Sequence, residues 1–414
     1  MSEVEFELRK LGDLIGIFNN KRVPLSAKQR EGLEKIYPYY GAQGIVDYVD
    51  DYIFDGKYIL IAEDGENLKS NNKSICTLAT GKYWVNNHAH IIKGNEGTNT
   101  DFLYYKLNSI NFAPYITGSA QPKLNKENLL NIELYIPSKE HQDKIAKVLT
   151  LLDQKIQINN QINQELEAMA KTLYDYWFVQ FDFPDQNGKP YKSSGGKMVY
   201  NPELKREIPE GWGVEKLDDL GTIVGGSTPT KSISDNFTKG GEGYSWITPN
   251  DLSNNKGNKF IKNGEIDVTV RGLKDASLKL YPEGTVLMSS RAPVGYLAIA
   301  TKELTTNQGF KSFIPDKKYD KSYIYYTLQN CLKVIEQHAS GSTFKEISAA
   351  VLKDIKVLQP NIEIVKKFEI KVSSINDYIR NNEVQNQELT QLRDWLLPML
   401  MNGQVYKRIE GKND

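Results

Sequence analysis

The sequence predicts an α+β protein: two similar mixed α/β domains separated by two long antiparallel coiled-coil helices, with pseudo-twofold symmetry. Three observations carry this. The chain repeats itself over most of its length. Each repeat ends in a stretch of about 40 residues with a heptad pattern. The joint between the repeats is rich in Gly, Pro and Ser. The expected boundaries are 1–138 for the first domain, 139–180 for the first long helix and 181–206 for a linker. The second domain is expected at 207–360, the second long helix at 361–403 and a C-terminal tail at 404–414.

The repeat is anchored on "NQEL", which occurs at 163–166 and 386–389, an offset of 223. At that offset Gly118-Ser119 falls on Gly341-Ser342, Leu134 on Val357, Pro137 on Pro360 and Leu173 on Leu396. Upstream, "FLYYKL" at 102 resembles "YIYYTL" at 323, an offset of 221, and "RKLGDL" at 9 resembles "EKLDDL" at 215, an offset of 206. The second copy therefore carries 17 more residues in its middle. Solenoid repeats have periods of about 20–50 residues, so this is a duplicated domain. Ends that agree and middles that differ suit one scaffold presenting different loops.

Residues 139–178 contain neither Pro nor Gly. Alternating spacings of four and three pick out Ile145, Leu149, Leu152, Ile156, Asn159, Asn163, Leu166, Ala170, Leu173 and Trp177. The second copy yields Phe368, Val372, Ile375, Ile379, Asn382, Asn386, Leu389, Arg393, Leu396 and Leu400. A helix of about 40 residues rises roughly 60 Å and needs a partner for its apolar seam. Each helix packing on its own domain is the competing arrangement. The matched asparagines favour pairing of the two helices, because polar seam residues select register and orientation. Ser138, with Glu140 and Asp143 after it, supplies start signals, and Asn402-Gly403 a stop.

Within the domains, "KYILIAED" at 57, "HAHIIKG" at 88, "GTVLMSSR" at 284, "GYLAIA" at 295 and "GFKSFIP" at 309 have strand character. "TDFLYYKLNS" at 100 and "KSYIYYTLQNCLKVIEQHA" at 321 have helical spacing. Tyr174, Tyr176, Trp177 and Phe178 are expected in a core.

The formal net charge is zero and a quarter of the residues are charged, the composition of a soluble globular protein. No run approaches the length of a membrane span and no signal peptide stands out. The two cysteines lie far apart, so a disulfide framework is not expected and a cytoplasmic setting is.

Catalytic equipment is thin. "GGK" at 195 is followed by Met198, where a phosphate loop needs Ser or Thr. No dinucleotide fingerprint follows a strand, and the adenine-methyltransferase tetrapeptide is missing. His88 and His90 are two apart, on one face of a strand, but no third ligand accompanies them, and no metal site is expected. Features suited to nucleic acid are better supplied. Residues 256–279 hold six cations against three carboxylates, among them Lys256, Lys259, Lys262, Arg271 and Lys274. Such a loop can track phosphates. Arg291 in "SSRAPVG" follows a strand, where an arginine can fork onto a guanine edge. Lys21, Arg22, Lys123, Lys231 and Lys345 are further cationic candidates, and the amides of Gln121, Asn307 and Gln308 can read adenine. The acidic stretch 47–66 repels phosphate and should face protein, solvent or a cytosine amino group.

The linker "FDFP…NGKPYKSSGGKMV…EIPEGW", two diverged domains and two matching long helices together resemble the specificity subunit of type I restriction–modification enzymes. "GSAQPKLN" at 118 and "GSTFKEIS" at 341 resemble the pattern that closes each target-recognition domain in that family. The resemblance implies a non-catalytic chain that reads a bipartite DNA site, one half per domain. Its helices would set the gap and dock two methyltransferase (modification) subunits. S-adenosylmethionine and ATP would then sit on partner subunits, the ATP on a restriction subunit where one joins. Fused, diverged readers imply two different half-sites, since symmetric readers match palindromes. The alternatives are a coiled-coil scaffold with two globular heads and no DNA role, or a stand-alone enzyme, against which the missing motifs argue.

Overall fold

The computed structural model describes residues 5–65, 68, 75–118, 121–291, 293–341 and 345–403. The expected tail at 404–414, Ser119 and Ala120 of the first closing motif and Ser342 to Phe344 of the second lie outside the described residues. The chain divides into two compact units, Met1–Ile156 with Gln387–Asp414, and Gln157–Asn386. Each long helix thus contributes residues to both units.

In the first unit, strand Phe6–Lys10 pairs with Glu133–Pro137. A four-stranded antiparallel sheet runs in the order Ile15–Ile17, Ala89–Gly94, Tyr58–Ala62, Cys76–Ala79. A second sheet is ordered Gly44–Val49, Tyr37–Gly41, Lys82–Val85, Phe54–Asp55, with Tyr37–Gly41 and Lys82–Val85 parallel. In "YILIA" Ile59 to Ala62 are all buried and Tyr58 half-buried, because both faces of the sheet are covered. One face packs on helix Thr100–Asn108 and on Ile145 and Leu149 of the first long helix; the other packs on Phe54 and Tyr83. Asn99 caps the Thr100–Asn108 helix, its side chain accepting from the Phe102 amide.

The second unit repeats this topology. Gly213–Lys216 pairs with Lys356–Gln359. Its main sheet runs Thr222–Val224, Ser312–Ile314, Val286–Ser290, Val294–Ala300 and adds a fifth strand, Phe260–Ile261. Tyr244–Ile247 runs parallel to Thr305–Thr306, as Tyr37–Gly41 does to Lys82–Val85. Matching backbone bonds give the register. The amides of Asn86 and Asn307 donate to Tyr40 and Ile247, and those of Leu124 and Ile347 to Glu63 and Ser290. The offset is thus 207 at Tyr40 and 227 at Glu63. The extra chain of the second copy falls between these points, where Phe260–Ile261 lies.

The first long helix is Lys139–Tyr174, widening into a π turn over Asp175–Val179; the second is Ile362–Met401. Ion pairs at four-residue spacing, Lys139–Asp143, Glu140–Lys144 and Lys171–Asp175, lie along the first. All twenty seam positions are buried or half-buried. In the second unit Asn159 Nδ2 donates to Asn386 Oδ1 at 2.9 Å, Asn382 Nδ2 to Asn163 Oδ1 at 2.9 Å, and Asn163 Nδ2 to the Ile379 carbonyl at 3.5 Å. The partner's number falls as the first helix advances. In the first unit Arg393 Nη1 donates to Asp153 Oδ1 at 2.8 Å. Gly403 follows the second helix at φ +71°, a left-handed stop that glycine adopts freely. Ser138 meets the His141 ring at 2.9 Å rather than a backbone amide. Tyr174, Trp177 and Phe178 are core, whereas Tyr176 is exposed. Both cysteines are free thiols. Among the described residues no helix is long and apolar enough to cross a membrane.

Candidate nucleic-acid interface

In each unit the strand before the recognition candidates ends beside the loop that closes the domain. In the first, Tyr58–Ala62 is followed by Glu63 and Asp64. The Glu63 amide donates to the His88 carbonyl at 3.0 Å, and the Glu63 carbonyl accepts from the Leu124 amide at 2.9 Å. These bonds bring three segments together: 63–64, 86–88 and 121–124. Arg22 Nη1 donates to Glu63 Oε2 at 2.6 Å, and Lys123 Nζ stands 3.4 Å from Oε1. Burial pushes the Glu63 carboxyl up, but Arg22 and Lys123 outweigh it and hold it below the usual carboxylate range. Asp64 meets His88 Nδ1 at 2.9 Å, and both side chains are about half exposed.

The second unit builds the same frame. Val286–Ser290 leads to Arg291; the Ser290 amide donates to Gly309 at 2.8 Å, and its carbonyl accepts from Ile347 at 3.1 Å. Arg291 stands 3.9 Å from Glu346, a loose pair with both side chains accessible. Asn307 Oδ1 accepts the Gly309 amide at 2.8 Å, as Asn86 Oδ1 accepts that of His88 at 2.8 Å. Gln308 Oε1 accepts from Thr228 Oγ1 at 2.5 Å.

The candidates therefore fall into groups. Lys21, Arg22, Gln121 and Lys123 belong to the first unit, and Arg22 and Lys123 converge on Glu63. Lys231, Arg291, Asn307, Gln308 and Lys345 belong to the second, with Arg291, Asn307 and Gln308 around Gly309. Lys21, Gln121, Lys123, Lys231, Gln308 and Lys345 are exposed. Sequence reasoning passed over Asn86 and Asn87. The 221 offset found at "FLYYKL" places them on Asn307 and Gln308 and was the signal available for them.

Several expectations need correction. Arg22 is no free phosphate ligand: its guanidinium is committed to Glu63 and to the carbonyls of Asn19, Asn87 and Ala89. Residues 256–279 do not form one basic loop. Lys256 and Lys262 flank the strand Phe260–Ile261 and are exposed, while Arg271 and Lys274 ride on the helix Val270–Asp275. Arg271 pairs with Asp235 at 3.0 Å. Lys259 points inward, 4 % exposed, with its Nζ 2.9 Å from Glu167 and 2.5 Å from the Tyr326 hydroxyl. Burial presses its ammonium below the usual lysine range although Glu167 opposes the shift. A cation so enclosed neutralises its own scaffold and leaves no donor for phosphate.

His88 and His90 do not share a face either. His88 precedes the strand Ala89–Gly94 and is exposed. His90 is buried, with Nε2 2.7 Å from the Leu124 carbonyl and Nδ1 2.8 Å from the Asn19 amide. Those partners make Nε2 the protonated nitrogen, and burial keeps the ring's pKa low. Within the acidic stretch Asp47 is held by Arg30 and Lys35 and Glu63 by Arg22, whereas Asp50, Asp51 and Asp55 are exposed. Among the described residues no cluster of His, Cys, Asp or Glu is placed to hold a metal ion.

A family model described as the type I restriction modification DNA specificity domain matches residues 3–168 and again 209–393. The chain is 39% identical over 205 residues to the type I restriction enzyme MjaIX specificity subunit of Methanocaldococcus jannaschii. That match covers 47% of this chain and 46% of the relative, so it spans about half the relative's length. It is 27% identical over 408 residues to the HindI specificity subunit of Haemophilus influenzae, covering 85% and 84% of the two chains. The crystal structure of a type I restriction–modification S subunit from M. genitalium has the same fold, with a TM-score of 0.60 at 15% identity over 97% of both chains.

Proposed function

Because the chain belongs to the type I restriction–modification DNA specificity family, we propose that it is the subunit that selects the DNA sequence for such a complex. It is a non-catalytic recognition subunit: each domain reads one half of a bipartite, non-palindromic duplex site, and the chemistry lies elsewhere. The observation that carries this reading is the duplicated frame, in which one backbone arrangement presents Glu63, Asp64 and His88 in one copy and Ser290, Arg291 and Gly309 in the other. Different side chains on equal frames read different bases.

In this reading the two long helices form an antiparallel spacer with pseudo-twofold symmetry. They hold the readers at a set separation and dock two methyltransferase subunits, with S-adenosylmethionine and ATP on partners and the complex in the cytoplasm. The descending order of the asparagine contacts supports the spacer. Removing one heptad from each helix shortens it by about 10 Å. The complex should then select a gap about three base pairs shorter with both half-sites intact. An unchanged gap would defeat the ruler. Binding to duplex DNA should weaken steeply with salt, as phosphate contacts require; salt-independent binding or none, with the methyltransferase subunits present, would leave only a scaffold.

A further inference from the structure

The strand-end frame is common to both copies, but its charge is inverted. Asp64 and Lys123 form an isolated antiparallel bridge in the first unit, and Arg291 and Glu346 form its counterpart in the second. The same loops make the next bridge in each, Thr117 with Lys123 and Ser340 with Glu346. Lys123 and Glu346 are thus one structural position, and Asp64 and Arg291 another. At the strand end the first copy carries acid and the second base; on the closing loop the signs are exchanged.

We propose that Asp64 and Arg291 are the matched specificity-determining residues of the two half-sites, Asp64 taking a cytosine and Arg291 a guanine. This rests on the chain being a DNA reader. Both side chains are partly accessible, 42 % for Asp64 and 35 % for Arg291. Asp64 spends its carboxylate on His88 alone among the described residues and keeps acceptor capacity for the cytosine N4 amino group. Repulsion from phosphate is offset nearby, since Arg22 and Lys123 already hold Glu63. The Arg291 guanidinium makes no hydrogen bond among the described residues, and its pair with Glu346 is long. Its fork is therefore free for O6 and N7 of guanine. Gly309 stands where the first copy has His88, and a Cβ there would lie 3.5 Å from Arg291 Nε and 2.9 Å from Pro249. In the second copy Pro249, Asn307 and Arg291 thus close over the position from which the His88 side chain projects in the first, and only glycine lets Arg291 approach so closely. A palindrome would offer both matched positions the same base. Opposite charges at one position demand a different base in each half, and so a non-palindromic site.

The test uses the full chain in complex with its methyltransferase subunits, mixed with duplexes randomised at both half-sites; bound duplexes are sequenced. R291A should lose a guanine preference at one position of one half by about 5- to 150-fold, leaving the other half unchanged. D64A should lose a cytosine preference of similar size in the other half. R291Q should move its position from guanine toward adenine, which a glutamine amide reads; because that outcome is a gained preference, it cannot come from misfolding. Even weakening across all sequences, loss of some other base, or both changes falling in one half would overturn the assignment. If the wild-type complex selects no split motif, the DNA reading itself fails, and the inference with it.

Discussion

The two units hold the long helices by different polar chemistry. In the first, Tyr105 donates to Asp153 at 2.5 Å, and Asp153 accepts from Arg393; both charged side chains are about one-third exposed. Lys106, buried, donates to the Met401 carbonyl at 3.0 Å, covering a carbonyl at the second helix's end. In the second unit the corresponding tyrosine, Tyr326, donates to Glu167, and Lys259 reaches the same carboxylate from the extra chain. Glu383 of the other helix accepts the backbone amides of Lys259 and Phe260 at 2.6 and 3.1 Å. The difference teaches what the longer middle of the second copy does. Lys259, just before its strand Phe260–Ile261, clamps two helices, the opposite of the surface role its charge suggested.

The largest expected effect comes from breaking that clamp. K259M leaves the half-buried Glu167 and the buried Glu383 without their cation, and should cost about 3–5 kcal/mol. Urea unfolding of the full chain, read with hydrogen exchange on residues 157–174 and 366–386, measures it; a loss below about 1 kcal/mol would mean the network is incidental.

Next is a pH effect in the same place. Burial pushes the Glu383 carboxyl up to about 7, against the pull of the Lys259 and Phe260 amides and the Lys259 ammonium, with Glu167 raising it further. The folded value lies above the unfolded one, so the folded state holds its proton more tightly. That stability is fully present below about pH 4.5, falls as pH rises through 7, and is level above, a change on the order of 3 kcal/mol. Burial also pushes Glu369 of the same helix up to about 7, so E383Q should remove roughly half of the combined slope and E383Q/E369Q most of it; a slope in E383Q as steep as the wild type's would assign the effect to other groups.

In the first unit R393M, which leaves a partly exposed Asp153 with the Tyr105 hydroxyl but without its cation, should cost less, about 1–2 kcal/mol. A loss as large as that of K259M would erase the contrast between the units. Smallest is N163A, which leaves the Asn382 amide without its partner and should cost about 1 kcal/mol in the same unfolding measurement.

The heptad seams were legible because a helix's period is local: a side chain's face follows from its place among its near neighbours. All twenty seam residues turn inward, and the asparagines chosen from spacing alone meet one another. The recognition frame was less legible. Its bonds join Glu63 to Leu124 and Ser290 to Ile347, far apart in sequence. The register between copies also shifts from 207 at Tyr40 to 227 at Glu63, 221 at Asn86 and 223 at Leu124. A reader holding one offset fixed misses that Asp64 and Arg291 coincide.

By itself the sequence determined the duplication, the helices with their seams, and a family resemblance carried by linker text. Those are patterns of spacing and identity along the chain. Only the tertiary structure decided which charges are spent inside and which remain for a ligand. Lys259 and Arg22 look like surface cations in one dimension. Both are consumed by carboxylates brought up from distant segments, because a buried charge is tolerable only when paired. Arg291 meets Glu346 of the closing loop only loosely, at 3.9 Å, and its guanidinium makes no hydrogen bond among the described residues.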